Sequence, residues 1–338
     1  MRKLDILVPH YKEEVSVLIP MLDSLMFQRG IDLDDFGVII SHDGTDFSNE
    51  QEIWDATKLY YNFEIQEIFN EHGGVSATRN AALRESEAEY VMFCDFDDCF
   101  CNDVALNYLF SLMPFDAMNS KYFQEWREGD SVKYNLVGPD YTFCHGKIYR
   151  REYLIENNIF WNDKLTVHED SYFNYLALTC AQDRIVNDVP VYLWKYREES
   201  VTKQEDFLFR TYDKYIDSEE ALVRQLSKRD LIGEARSLAV SAILDCYYVF
   251  NHEDWFESGH EEHKERVEKR IVKFMKKYYS EFSNLNSDDI FDIASGSSRR
   301  NYQYGLIFPH FTFYEWVEKL NKKYNTRFRI GEEEDAAD

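Results

Sequence analysis

Apolar residues in the first hundred positions follow two alternating rhythms. Dense short runs, "KLDILVPHY" (3–11), "FGVIISHDG" (36–44), "FEIQEIF" (63–69) and "EYVMFCD" (89–95), read as strands. Between the first two, Val15, Leu18, Ile19, Leu22, Leu25 and Met26 recur at helical spacing, and further helices are predicted at about 49–61 and 75–86. Pro20 suits only the first turn of its helix or a kink, because it lacks an N–H and its ring crowds the preceding turn. This β-α-β-α-β-α-β series predicts a parallel sheet covered by helices on both faces. Ligands of such sheets gather at the carboxyl ends of the strands, which here read "PHYKEE", "SHDGTD" and "DFDD".

The rhythm changes twice more. From about 100 to 204 it is mixed, with a helix at 103–112 and strand-like runs near 116–127 and 132–137. After about 205 it is almost wholly helical, with amphipathic runs at 207–228, 232–250 and 261–282. The organisation expected is one α/β domain over 1–204, with halves at 1–100 and 101–204, an appended helical domain over 205–330, and a frayed acidic tail, "GEEEDAAD", at 331–338. The change near 200–206 is one of period and not a Gly/Pro linker, so the helical domain is expected to dock, and its apolar stripes are available for self-association or a partner.

Composition narrows the partners. Asp and Glu number 63 against 38 Lys and Arg, a formal charge of −25, so nucleic acid would be repelled by most of this surface. No run approaches the roughly 20 apolar residues of a membrane helix, and the amino-terminal run is too short for a signal peptide. The reading is a cytoplasmic protein without an integral membrane segment, at most peripheral to the inner face of a membrane. Six cysteines in so long a chain read as reduced thiols, and the C-x-C of Cys99 and Cys101 lacks a second pair at zinc spacing.

The run "EYVMFCDFDDCF" carries a buried strand into three aspartates that repel one another unless something positive meets them. If the chain stays extended, Asp95 and Asp97 point the same way and form half of a site for Mg²⁺ or Mn²⁺, with substrate phosphates completing it. The plain alternative is a turn in which Asp98 or Asn102 caps the next helix.

Taken together, these segments resemble the family 2 glycosyltransferases, inverting enzymes of the GT-A fold with a DxD motif. "LDILVPHYKEE" is similar to the family's first strand and its Pro-x-Tyr-x-x-Glu ending, and "VIISHDGTD" to its second strand and Asp-Asp-Gly-Ser turn. "NEHGGVSATRNAAL" resembles the Asn-x-G-x-S-x-A-R-N segment, "EYVMFCDFDD" the DxDD, "GKIYRREYLIENNIFW" the mid-domain segment and "HEDSYFNYLAL" the Glu-Asp motif. The resemblance spans roughly residues 3–204. His42 departs from it, standing where the family commonly has the first Asp of its pair; Asp43 remains.

The resemblance implies an α/β fold, a Rossmann-like, mostly parallel GT-A sheet with a carboxyl-terminal α-helical domain appended. It implies a nucleotide-sugar donor, of which a UDP-sugar is the first choice, and a Mn²⁺ or Mg²⁺ cofactor. Pro9, Tyr11 and Glu13 would line the base pocket, and Asp43 would accept from base or ribose. Asp95 would accept from ribose hydroxyls or hold metal, and Asp97 would ligate the metal directly. Arg79 would reach base or diphosphate; apart from the resemblance, Lys147 and Arg197 read equally as residues that hold the diphosphate or as surface ion pairs. Asp170 would be the base that takes the acceptor proton, with Glu169 in support.

The chemistry stands beside the resemblance. A departing diphosphate needs its charge neutralised, and glycines ahead of the helix in "HGGVSATRN" free backbone N–H groups for a ligand. An unperturbed Asp is a weak base at neutral pH, and partial burial beside Glu169 would raise its proton affinity. His145 and His168 read first as structural histidines, and His260 and His263 as solvated. Trp126, Trp161 and Trp194 are candidate sugar-stacking rings. The function expected is metal-dependent inverting transfer of a sugar to a hydroxyl of a glycan or polyol-type acceptor, such as a surface polymer. The alternatives are a non-catalytic glycan- or nucleotide-binding scaffold and a sugar-nucleotide pyrophosphorylase. The latter would carry a G-x-G-[ST]-R loop where this chain has "PHYKEE".

Overall fold

A computed structural model describes residues 1–197, 207–250, 261–284 and 312–328. The chain divides into two compact units, Met1–Glu198 and Glu199–Asp338.

The first unit is built on a nine-stranded sheet. Strands β1 (Leu4–His10), β2 (Phe36–Asp43), β3 (Glu64–Asn70) and β4 (Tyr90–Phe93) lie in the order β3-β2-β1-β4, all parallel. Apolar runs in β1, β2 and β4 follow from burial on both faces, whereas β3, at the edge, alternates and stays half-exposed. Pro9 is tolerated in an interior strand because β4 pairs with β1 only as far as Leu7.

Helix α1 (Val15–Met26) buries Val15, Leu18, Met21, Leu22 and Leu25. Pro20 lies inside it, beyond the first turn. Helix α2 (Gln51–Tyr60) buries only Trp54. Helix α3 (Val75–Glu85) packs on β1 and β2 and buries Ser76, Thr78, Arg79, Asn80, Ala82 and Leu83.

The second half of the sheet departs from a simple parallel series. Strand β5 (Cys99–Phe100) and helix α4 (Ala105–Ser111) lead into a hairpin of β6 (Ala117–Glu128) and β7 (Ser131–Val137), closed by Gly129 and Asp130. Strand β8 (Lys147–Arg150) then inserts antiparallel between β4 and β6. Helices α5 (Arg151–Glu156) and α6 (Glu169–Cys180) follow, and β9 (Arg184–Trp194) runs parallel to β6. The insertion of β8 brings the segment before it, which carries Cys144 and His145, alongside the end of β4.

Among the described residues the second unit comprises α7 (Phe207–Lys228), α8 (Ile232–Phe250), α9 (Glu261–Tyr278), a 3₁₀ turn (Tyr279–Asn284) and α10 (Phe313–Tyr324). Ile216, Leu226, Ile243, Ile271, Phe274 and Val317 supply its core. Arg270 on α9 ties Asp217 and Glu220 on α7 at 2.6 and 2.5 Å. The predicted bounds of α7 and α8 coincide with the observed ones, and that of α9 ends in the 3₁₀ turn. His260 and the acidic tail lie outside the described residues.

Helix α10 begins with a complete capping box, in which the Thr312 side chain accepts from Glu315 N–H and the Glu315 carboxylate accepts from Thr312 N–H. Thr312→Ala is expected to cost about 1 kcal/mol of local stability. Amide hydrogen exchange across residues 313–324 should accelerate several-fold, and unchanged exchange would show the cap to be idle.

Candidate active site

Three polar ends of parallel strands meet at one edge of the first unit. Beyond β1, Tyr11 is exposed, its backbone N–H donates to the Glu13 carboxylate at 2.7 Å, and its ring stacks on His72 with centroids 5.0 Å apart. Beyond β2, Asp43 is almost fully buried and takes the backbone N–H of Gly73 (2.7 Å) and Gly74 (3.1 Å), with His72 Nδ1 at 3.0 Å. Its side chain thus anchors the glycine loop at the start of α3. Gly44 has φ +68°, and a Cβ there would lie 2.7 Å from the His72 Cβ, so only glycine fits this turn.

His42 makes no approach to this pocket. It is fully buried, with Nδ1 2.8 Å from His10 Nδ1 and Nε2 3.2 Å from Glu67, while His10 Nε2 donates to the Glu13 carbonyl at 2.9 Å. Lys58 pairs with the same Glu67 at 2.8 Å. Glu67 is brought down to about 2: burial opposes its charge, but the His42 and Lys58 hydrogen bonds outweigh it.

The aspartate run does not stay extended. Strand β4 ends at Phe93, and Asp98 N–H donates to the Asp95 carbonyl at 3.2 Å, closing a turn. The turn gives its three carboxylates different partners. Asp98 points inward, 1% exposed, accepting from the Tyr192 hydroxyl (2.6 Å) and Lys195 N–H (2.8 Å). It caps no helix; burial, then Asp95 and Asp97, hold its proton affinity well above the carboxylate range. Asn102 Oδ1 takes the N–H of Val104, just ahead of α4. Asp97 is partly exposed, and Arg197 lies 3.6 Å from it and 3.8 Å from Glu13.

Asp95 faces Arg79, a side chain of α3 that is 4% exposed. Nη2 of Arg79 donates to Asp95 Oδ1 at 2.8 Å, and Nη1 donates to Asp170 Oδ1 at 2.7 Å, with Glu169 Oε1 at 3.5 Å. Its guanidinium lies 4.3 Å from the ring centroid of Trp161, which is itself stacked on Phe173 at 4.3 Å. Asn80, the next residue on α3, grips the Trp161 backbone through both its N–H (2.9 Å) and its carbonyl (2.8 Å). Three carboxylates and an aromatic face therefore occupy the cation that the resemblance assigns to base or diphosphate. Trp161 serves as its platform within the core.

Glu169 and Asp170 open α6, behind His168 in a left-handed conformation (φ +61°). Asp170 is pushed up to about 7: burial dominates, Arg79 opposes it, and Glu169 and Asp95 add to the rise. His145 stacks on Trp194 at 4.9 Å, and burial lowers it to about 4. One ligand atom each of Asp95, Asp98 and His145 lie within 4.8 Å of one another, and the buried His145 Nδ1 has no hydrogen-bond partner. Two carboxylates and an imidazole, with Asp97 on the same turn, make a donor set that fits a hard or borderline divalent cation. Lys147 is fully buried, 3.4 Å from Asp140 and below the surface that a diphosphate could reach.

His72, Tyr192 and Cys144 escape sequence reasoning. His72 has a faint signal, a ring ahead of two glycines at a helix start. Tyr192 and Cys144 join the site only through pairing of distant strands.

In the first unit an acidic turn at the end of a parallel strand thus faces a second carboxylate pair across a buried arginine, and the solved structures it resembles give its mostly parallel α/β sheet as GT-A-like. Residues 5–160 match the family model Glycosyl transferase family 2. The chain is 25% identical over 214 residues to the poly(ribitol-phosphate) beta-N-acetylglucosaminyltransferase TarS of Staphylococcus aureus, across 59% of this chain and 36% of that protein. It is 27% identical over 190 residues to a poly(ribitol-phosphate) beta-glucosyltransferase of Bacillus spizizenii, across 52% and 29%. The chain thus spans roughly a third of the length of these relatives. The crystal structure of S. aureus TarS 1-349 superposes with a TM-score of 0.60 at 18% identity, covering 90% of this chain and 92% of that one. A mannosyltransferase from Pyrobaculum calidifontis gives 0.51 at 12%, covering 97% and 89%. At such identities the likeness establishes the fold. Among the described residues no helix is long and apolar enough to cross a membrane.

Tyr192→Phe deletes the donor to buried Asp98 and the acceptor of Asp95 N–H (3.2 Å). A loss of about 1–3 kcal/mol is expected, read as a lower unfolding midpoint. A variant as stable as the wild type would show the turn to be held by other means.

Proposed function

We propose that this chain transfers a sugar from a nucleotide-sugar donor, a UDP-sugar first among them, to a hydroxyl of a glycan or polyol-type polymer, with inversion. The observation that carries this reading is the pairing, across Arg79, of an acidic turn with a half-buried carboxylate pushed up to about 7. A solved TarS complex holds UDP, and the mannosyltransferase complex holds GDP-Man and Mn²⁺. The curated relatives act on poly(ribitol-phosphate), which supports a polyol-type acceptor.

In this reading Pro9, Tyr11 and Glu13 bound the base pocket, and the exposed Tyr11–His72 stack offers a ring surface to the base. Asp43 acts on the nucleotide through the glycine loop it anchors. Asp97, with Asp95, holds Mn²⁺ or Mg²⁺, while Asp98 and His145 support the turn from beneath. A bound divalent cation would supply the positive charge that stabilises the departing diphosphate. Arg197, at the rim beside Asp97, adds charge from the chain itself. Asp170 takes the acceptor hydroxyl proton as that oxygen attacks the anomeric carbon, and the bonding pair of the carbon–oxygen bond leaves with the diphosphate. Glu169 supports the orientation of Asp170.

UDP and Mn²⁺ together are expected to raise the unfolding midpoint more than the sum of each alone, because ligands that bind only the native state stabilise it. Asp97→Asn should abolish the synergy. Independent shifts in the wild type would remove the metal reading, and synergy lost in His145→Ala but kept in Asp97→Asn would move the ligand set to Asp95, Asp98 and His145.

An α-linked donor should yield a β-linked product, read from the anomeric proton coupling by NMR. Because the base must be ionised, turnover should fall as pH drops through about 7. Asp170→Asn should lower kcat by about 10² or more with UDP affinity near that of the wild type. An α product, or a nearly fully active Asp170→Asn protein, would overturn the mechanism.

A further inference from the structure

Asp170 is held in a way that the base reading alone does not require. Among the described residues, both donors to its carboxylate converge on one oxygen: Arg79 Nη1 at 2.7 Å and the Cys144 thiol at 3.6 Å both reach Oδ1. Cys144 is buried, and burial, with Asp170 next, keeps it a neutral thiol. Its sulfur lies 3.9 Å from Asn174 Nδ2, which also donates to the Thr142 carbonyl at 3.0 Å. Asn174 Oδ1 accepts from the Tyr149 hydroxyl at 2.8 Å. Asn174 stands one helical turn beyond Asp170 on α6, so a chain of buried groups runs from β8 through the helix to the base. On the other side Arg79 is clamped by Asp95 and by the Trp161 face.

Resting on the reading of Asp170 as base, we infer that Arg79 and Cys144 are positioning residues that engage the carboxylate through Oδ1 and leave Oδ2 as the atom that accepts the acceptor's proton. Two donors on one oxygen fix the side-chain torsions and polarise the carboxylate, which makes the other oxygen the one free to work. Arg79 then acts through Asp170 and Asp95 and makes no contact with the diphosphate. The guanidinium could not leave for a phosphate without exposing Asp95, Glu169 and Asp170 to one another inside the protein. The charged or titratable groups that face Asp170 are Arg79 from α3, Asp95 from the turn after β4, Cys144, Lys147 and Tyr149 from β8 and the segment before it, and Glu169 on its own helix.

The test uses the full chain with Arg79→Gln, Arg79→Lys, Cys144→Ala and Cys144→Ser, measuring UDP–Mn²⁺ affinity by calorimetry and kcat against pH. Arg79→Gln should leave UDP affinity within about threefold of wild type while kcat falls by about 10² and its acidic limb moves to higher pH, since a cation that favours the ionised base is gone. Cys144→Ala should lower kcat by about three- to tenfold, and Cys144→Ser, which keeps a donor, should recover most of it. A loss of UDP affinity in Arg79→Gln that matches its loss of turnover would make Arg79 a diphosphate ligand and overturn the inference. So would an unmoved pH limb, or equal defects in the two Cys144 variants. If Arg79→Gln does not fold, Arg79→Lys and the Cys144 pair carry the same comparison. If the wild type transfers from no donor, the reading of the function fails by itself. The protonated-carboxyl infrared band of Asp170, assigned by its loss in Asp170→Asn, then decides the positioning role: a band whose titration is unchanged in Arg79→Gln overturns it.

Discussion

A guanidinium buried between carboxylates from distant parts of the chain is the constraint on which the rest of the first unit depends. Arg79 reaches Asp95 sixteen residues away and Asp170 ninety-one residues away, so one cation ties the end of β4 to the start of α6. Burying it costs several kcal/mol of hydration, a penalty repaid only if every carboxylate stays in place. That mutual dependence explains the rigid backing around it: the Trp161–Phe173 stack, the Asn80 grip on the Trp161 backbone, and the Tyr192 hydroxyl that pins the Asp95–Asp98 turn.

The same arrangement separates two carboxylates chemically. Arg79 touches both at nearly equal distance, yet Asp95 ends below the ordinary carboxylate range and Asp170 near 7. Burial raises both. Asp95 has Arg79 and His145 to offset it, whereas Asp170 has Glu169 beside it and meets the negative charge of Asp95 across the cation. A carboxylate that stays charged suits a metal or ribose contact, and one that holds its proton near neutrality suits proton transfer. Environment, and not residue type, divides the labour.

Much of this was legible in the chain. The dense runs of β1, β2 and β4 announce strands buried on both faces, and the apolar stripe of α1 and the long stripes of α7 and α8 give those helices nearly to the residue. The motif residues converge at strand ends because parallel sheets put their polar loops on one edge. What could not be read was direction. Asp95, Asp97 and Asp98 look alike in sequence; a turn closed by one backbone hydrogen bond decides that the first meets Arg79, the second the rim and the third the core. Arg79 follows the glycine loop as an exposed cation would, and only the tertiary placement of Trp161 and α6 turns it inward. His42 occupies a pocket-forming position but finds His10 and Glu67 in register beside it, a partnership invisible until β1, β2 and β3 pair.

The positions that escaped sequence reasoning share a physical character. Tyr192, Cys144 and Asn174 carry small or single polar groups in otherwise apolar runs, which a pattern of burial scores as core. Each instead sets its polar atoms against groups that belong to, or lead to, a candidate site carboxylate. Such residues are selected by the geometry of a neighbour brought in by strand insertion, here of β8 between β4 and β6. The candidate chemistry at the strand ends is therefore partly a property of the sheet order: place β8 elsewhere and Asp170 loses its thiol donor and His145 loses Asp98.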